Sequence, residues 1–168
     1  RPAELATDEA STRAVQKHAL QWCAADEREF PEALVTLQPT SPLRTGRHID
    51  EAVQRFQQER ADTVLGVTPV QDHPYEIVGF SDGAMHRAME RPPFVVRRQQ
   101  YPPFYKINGA IYITRSSILV NQDTGYGDRV FEYEMGLEES VDIDSLDDLQ
   151  AADALLRTAG LKTKSRST

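Results

Sequence analysis

The sequence predicts an α/β domain, a sheet whose strands are joined by helical crossovers, and three observations predict it. Short continuous apolar runs at 33–37 (Ala33, Leu34, Val35, Thr36, Leu37) and 63–68 (Thr63 to Thr68) read as strands buried on both faces. Segments with apolar residues at three- and four-residue steps stand before and between them. Helix, strand, helix and strand in alternation is the pattern of a sheet with right-handed crossovers, whose ligands sit at strand C-terminal ends.

Each element has its own signal. Thr7, Asp8 and Ser11 supply caps ahead of Val15, Ala19, Leu20 and Cys23, so a helix is expected over about 11–25, with Trp22 and Cys23 in the core. Pro39 and Pro42 follow the first strand, and the chain leaves it at Gln38. Thr45 and Gly46 open a second helix that carries Ile49, Ala52, Val53 and Phe56 on one face and ends near Ala61. Pro69 halts the second strand. Residues 71–105 break the pattern with His73-Pro74, Asp82-Gly83, Pro92-Pro93 and Pro102-Pro103, and read as an inserted hairpin and loop. Its Tyr75, Ile77, Val78, Phe80, Phe94, Val95 and Val96 still want burial, which a second copy of the chain can provide. Strands are expected at 107–114 and 129–135, then a closing helix at 145–159 with Leu146, Leu149, Ala152, Leu155 and Leu156 inward and Gly160 as its stop.

Composition bounds the function. The chain has 168 residues, enough for a single domain, taken as 1–160 with a polar, flexible tail at 161–168. Nineteen Lys and Arg against 26 Asp and Glu give a net charge of −7, which argues against a partner held by many phosphate contacts, nucleic acid or anionic membrane alike. The single cysteine, Cys23, and the lack of a membrane-length apolar run or signal segment predict a cytoplasmic protein.

The strongest chemical feature is Ser140-Val141-Asp142-Ile143-Asp144-Ser145. Alternation on a strand end would point Asp142 and Asp144 to one side, two carboxylates within reach of one hard divalent cation such as magnesium. The competing reading is that Asp144 or Ser145 caps the helix that follows, and spacing alone leaves both open. In residues 37–44 two prolines restrict Gln38 and Ser41, which can present an amide and a hydroxyl to a ligand or form a plain solvent turn. Arg97, Arg98, Gln99 and Lys106 make a positive cluster in an acidic chain, suited to an anionic substrate or to neighbouring carboxylates. Asn108-Gly109-Ala110 allows close backbone approach or marks a bulge. The four histidines lie in different elements, and none is assigned catalysis.

LQPTSPLR at 37–44, RRQ at 97–99, NGAIYI at 108–113 and SVDID at 140–144, with RPAELATD at 1–8 ahead of them, resemble the successive motifs of the acylneuraminate cytidylyltransferases, the CMP-sialic acid synthetases. The resemblance runs from residue 1 to about 156. It implies a three-layer, Rossmann-like nucleotide-diphospho-sugar transferase fold, a homodimer whose 71–105 insertion crosses to the partner, and a reaction joining CTP to a nonulosonic acid with magnesium. By motif matching, Asp142 and Asp144 would hold the metal and Gln38, Asn108 and Tyr112 would meet the sugar acid. Arg98 and Gln99 would lie near its carboxylate, and Arg1, Ser11 and Thr12 would face the nucleotide. Asp144, Gln38 and Arg98 are the expected catalytic set; a metal-bound Asp144 is a poor base, so its expected role is as a ligand.

Two departures from the family pattern matter. The sequence begins after the family's first strand and glycine-rich phosphate loop, which predicts a fragment of a longer enzyme or a truncated chain. Glu76 stands where many members carry a lysine. An alternative reading is a catalytically weakened paralogue that binds the sugar or nucleotide-sugar; a glycosyltransferase using Asp142-Ile143-Asp144 is a third, and leaves LQPTSPLR and NGAIY unexplained.

Overall fold

The computed structural model describes residues 2–158 apart from 8, 28–29, 95–96 and 122–124. In chain order its elements are α1 (Thr12–Glu27), β1 (Ala33–Thr36), α2 (Gly46–Gln58), β2 (Thr63–Pro69), β3 (Val78–Ser81), β4 (Ala84–Arg87), β5 (Tyr105–Arg115), α3 (Ser116–Asn121), β6 (Val130–Glu134) and α4 (Leu146–Thr158). The expected Gly160 stop, the 161–168 tail, Val95 and Val96 lie outside the described residues.

Four strands form one sheet in the order β1-β5-β2-β6, and β3 and β4 form a separate hairpin. β2 and β6 are parallel, whereas β5 is antiparallel to both β1 and β2. The sheet is therefore mixed, a correction to the crossover-only sheet expected from the first 70 residues. The reason lies in 71–105: the chain leaves β2, makes its excursion and comes back beside the same strand, which needs no crossover. β1, β2 and β6 thus run one way and β5 the other, so the C-terminal ends of three strands share one rim with the start of β5.

The core forms where α2 meets the sheet. Thr45 caps α2 by accepting the His48 N–H, and its own N–H donates to His48 Nδ1. The helix then lays Ala52 and Phe56 against Ala61, Val64, Ala110, Ile111, Ile113 and Met135. Burying a side chain the size of Ile or Phe contributes about 1.5–3 kcal/mol, so this cluster fixes α2 on the central strands. β2 is buried along six of its seven residues, as a two-face strand should be. β1 is only half-buried, a correction, because β5 is its one pairing neighbour among the described residues.

β5 carries a large irregularity. Leu65 pairs with Tyr112 and Val67 with Ile107, so residues 108–111 bulge opposite Gly66 alone. Gly109 takes φ +76°, a left-handed conformation suited to glycine. Both sequence readings of Asn108-Gly109, close approach and bulge, hold together.

Three apolar expectations fail for one reason: periodicity finds a stripe without saying what covers it. Trp22 is 62% exposed, Leu146 76% and Leu149 50%, while Ala152 alone of the α4 stripe is fully buried. The insertion buries Tyr75, packing it with His73, Tyr101 and Phe104; the His73 ring lies 4.6 Å from those of Tyr75 and Tyr101 and 5.0 Å from that of Phe104. Its Ile77, Val78, Phe80 and Phe94 stay exposed.

Candidate active site

A cleft of about 650 Å³ opens at the shared rim, lined among others by Thr68 near the end of β2, Gln71 after it, Lys106 at the start of β5, and Ser140, Asp142 and Asp144. Asp142 and Asp144 thus face one cleft. The segment holding them is not a strand end, however: it is an irregular stretch between a 3-10 turn, Glu138–Ser140, and α4. Capping of α4 falls to Ser145, one of the two residues the capping reading named, together with Asp148. Ser145 Oγ accepts the Asp148 N–H at 3.3 Å, and Asp148 Oδ2 accepts the Ser145 N–H at 2.9 Å and the Asp144 N–H at 3.2 Å. That reciprocal box leaves the Asp142 and Asp144 carboxylates free of capping work.

The cap carries a pH signature. The Ser145 hydroxyl first, and then the Asp144 N–H, hold the Asp148 carboxyl below its ordinary value of 3.8. A lowered folded pKa stabilises the fold above the unfolded value and loses that contribution as pH falls through the folded one. Asp148→Ala is therefore expected to lower Tm at pH 7, with the gap from the unsubstituted protein closing below about pH 3.9, as thermal melts across pH 2–7 would record.

Three anchors fix the acidic loop. The Ile143 N–H donates to Thr40 O at 2.9 Å, tying it to the 37–44 loop. Asn108 Nδ2 donates to Ser140 Oγ at 2.9 Å and approaches the Met135 sulfur, while its Oδ1 accepts the Ala110 N–H at 3.0 Å. Glu139 reaches buried His48, with Nε2 and Oε1 3.2 Å apart. Arg44 braces the 37–44 loop against β5, donating to Gln38 O at 3.0 Å and Ala110 O at 2.7 Å; burial pushes its guanidinium pKa down.

Over the bulge two predicted side chains converge. Gln38 Oε1 lies against the Cα of Gly109, and a Cβ there would stand 3.5 Å from Asp142 Oδ2. Tyr112, half-buried on β5, has its phenol pKa raised by burial first, then by Tyr126 and Asp142. Gln38 and Asp142 thus meet over Gly109, with Tyr112 within electrostatic reach of Asp142. Asn108 is 3% exposed and its amide is spent on internal bonds, so in this conformation it braces the site instead of facing a ligand.

The donor set fits a hard cation. Asp142 Oδ1 is buried without a hydrogen-bond partner, as is Thr68 Oγ1, and the exposed Asp144 carboxylate has no ion-pair or hydrogen-bond partner among the described residues. An orphaned carboxylate oxygen sharing a cleft with a second carboxylate suits magnesium, which takes one or two carboxylates and keeps substrate phosphates and water for the rest of its shell. No group of three or more His, Cys, Asp or Glu side chains able to hold a metal occurs among the described residues.

No family model matches the sequence. Over 148 residues, 88% of this chain, it is 34% identical to the N-acylneuraminate cytidylyltransferase of Streptococcus agalactiae serotype V. The chain is a homologue of the N-acylneuraminate cytidylyltransferases. It covers 35% of the length of that relative, and likewise 35% of the Escherichia coli N-acylneuraminate cytidylyltransferase, to which it is 33% identical over 153 residues, 90% of this chain. The post-translational flagellin modification protein B of Campylobacter coli is 27% identical over 168 residues, 98% of this chain and 69% of that protein.

The other described positions matched to cytidylyltransferase motifs do not line this cleft. Arg98 lines a neighbouring cavity of about 320 Å³ in the insertion, donates to Gln71 O at 3.1 Å and stands 3.8 Å from Glu76. Gln99 sits exposed in the same 3-10 turn, Arg98–Gln100. Ser11 accepts the Ala14 N–H at 3.2 Å and so caps α1, whose first residue is Thr12. Gln16 Nε2 donates to Thr36 Oγ1 at 2.9 Å, which brings the start of α1 toward the rim where β1 ends. Arg1 lies outside the described residues. Sequence reasoning missed Thr68, Lys106's place in the acidic cleft, and Arg44 as a brace; a polar residue ending a buried strand was the available signal for Thr68.

Proposed function

We propose that the chain forms the sugar-acid and metal side of a cytidylyltransferase that joins CTP to a nonulosonic, sialic-type acid, giving the CMP-sugar and pyrophosphate. The observation that carries this reading is the buried, unpartnered oxygen of Asp142 sharing a rim cleft with Asp144, with Gln38 close by over Gly109 and Tyr112 within electrostatic reach. The anomeric hydroxyl of the acid forms the new bond to the α-phosphorus, pyrophosphate leaves, and the hydroxyl proton passes to solvent. Asp142 and Asp144 would hold magnesium, which when bound neutralises charge on the phosphate oxygens. Gln38 and Tyr112 orient the acid through an amide and a phenol that stays protonated, and the Thr68 hydroxyl offers a further bond in the cleft. Lys106, also in the cleft, adds positive charge for the anionic substrates.

Arg98 and Gln99 lie on the insertion, and the exposed Phe80 and Phe94 of the same insertion, at 78% and 79%, support a homodimer in which the insertion meets a second copy. Arg98 would then address a substrate carboxylate, with Glu76 withdrawn from it. Ser11 and Thr12 would face the nucleotide.

Calorimetry with CTP and with N-acetylneuraminate, beside an assay of pyrophosphate release by the intact protein, tests the reading. Release requiring magnesium and the acid together is expected. Binding of the acid with no turnover would support the paralogue that only binds the sugar, and binding of neither would overturn both.

A further inference from the structure

We propose that His48 is a positioning residue for the acidic loop, acting through Glu139; the inference deepens the proposed function and rests on it. His48 belongs to the first turn of α2 and is 1% exposed. Its Nδ1 accepts the Thr45 N–H at 3.2 Å, so the proton of the neutral ring sits on Nε2. That proton is aimed at Glu139 Oε1, 3.2 Å away. The second oxygen of Glu139 accepts the Gly136 N–H at 3.2 Å, so one carboxylate closes the turn after β6 and ties it to the helix.

The surroundings leave Nε2 one acceptor. Arg47 Nη2 lies 3.0 Å from His48 Nε2 and 3.7 Å from Glu139 Oε1, while its Nη1 is committed to Glu51 at 2.9 Å; a guanidinium only donates, so it can take no proton from Nε2–H. The Tyr133 ring stands 6.4 Å from the His48 ring, and its hydroxyl donates to Glu51 at 2.5 Å. Glu139 is thus the acceptor left for the buried Nε2–H. An unpaired buried donor is costly, so the imidazole holds its partner firmly.

Geometry passes the restraint onward. Glu139 and Ser140 are adjacent in the 3-10 turn, Ser140 is gripped by Asn108, and Asp142 follows two residues later. Beyond it, the Ile143 N–H is held by Thr40. Asp142 is therefore suspended between fixed points, and His48 supplies the one rooted in a helix.

The test compares His48→Leu, His48→Gln and Glu139→Ala in the intact protein by hydrogen exchange and by Mn²⁺ binding. His48→Leu and Glu139→Ala are expected to speed exchange of amides 136–144 about tenfold and weaken Mn²⁺ binding about tenfold, the scale of one lost hydrogen bond, with β2 and β5 amides unchanged. His48→Gln keeps a donor near the Nε2 position and is expected to stay close to the unsubstituted protein. Glu139 is on the surface, so its variant decides the matter even if His48→Leu fails to fold. Unchanged exchange at 136–144 in Glu139→Ala, or loosening spread equally through β2 and β5, would overturn the proposal. Unsubstituted protein that binds no Mn²⁺ would instead sink the two-carboxylate reading, and the exchange pattern would still decide for or against the His48 link.

Discussion

Asp142→Asn is expected to abolish metal-dependent turnover while leaving the fold as stable as before, or slightly more so. Asparagine keeps the shape but removes the charge that would attract the cation, and charge neutralisation of this kind is worth several kcal/mol, about a hundredfold or more in rate. Stability moves the other way because Asp142 Oδ1 is buried with no partner, and an ionised oxygen in that state burdens the folded protein. Asp144→Asn is expected to lose activity comparably with little effect on stability, since that side chain is exposed. Mn²⁺ titration with parallel thermal melts checks both. Metal affinity unchanged in the two variants would remove these residues from any ligand set, and a large fall in Tm for Asp142→Asn would reveal a structural partner for it.

Gly66→Ala should give a large loss of stability from a single methyl group. A Cβ at 66 would lie 2.7 Å from Asn108 Oδ1, 3.1 Å from Ile111 N and 3.2 Å from Ile111 O. Two of those atoms are backbone of β5 and cannot turn away, and the third is the oxygen holding the Ala110 N–H. Overpacking of this kind costs about 1–3 kcal/mol, and loss of the Asn108 bonds would place the result at the upper end. Denaturant melts measure it. Because Asn108 also grips Ser140, the same substitution is expected to weaken metal binding from a position outside the cleft. Gly46→Ala makes a clean control, since nothing lies within 4 Å of its added methyl group.

Much of this architecture was legible because the signals are local. The unbroken apolar run from Thr63 announces a buried strand, and Thr45 ahead of Ile49, Ala52 and Phe56 announces α2. Pairing direction was not legible: whether β5 lies parallel or antiparallel to β2 depends on the route through 71–105, and nothing in Ile107 to Thr114 encodes that route. Exposure of Trp22 and Leu146 was hidden for a similar reason, since a periodic stripe carries no record of its cover. At the site, the capping question turned on Asp148, whose reach back to Ser145 settles who caps α4. The His48–Glu139 link spans 91 positions and left no trace that spacing could detect.

The bulge in β5 has a consequence for how the strand reads. Four residues, 108–111, stand against Gly66 alone, an excess of 4 − 1 = 3, which is odd. Because side chains alternate with a period of two, an odd excess inverts the parity of the strand at that point. Ile107 therefore shares a side with Tyr112, and Lys106 with Ile113, contrary to plain even-odd counting. Any insertion or deletion of one residue at 108–111 would turn half of β5 inside out, so the length of this stretch is constrained more tightly than its composition.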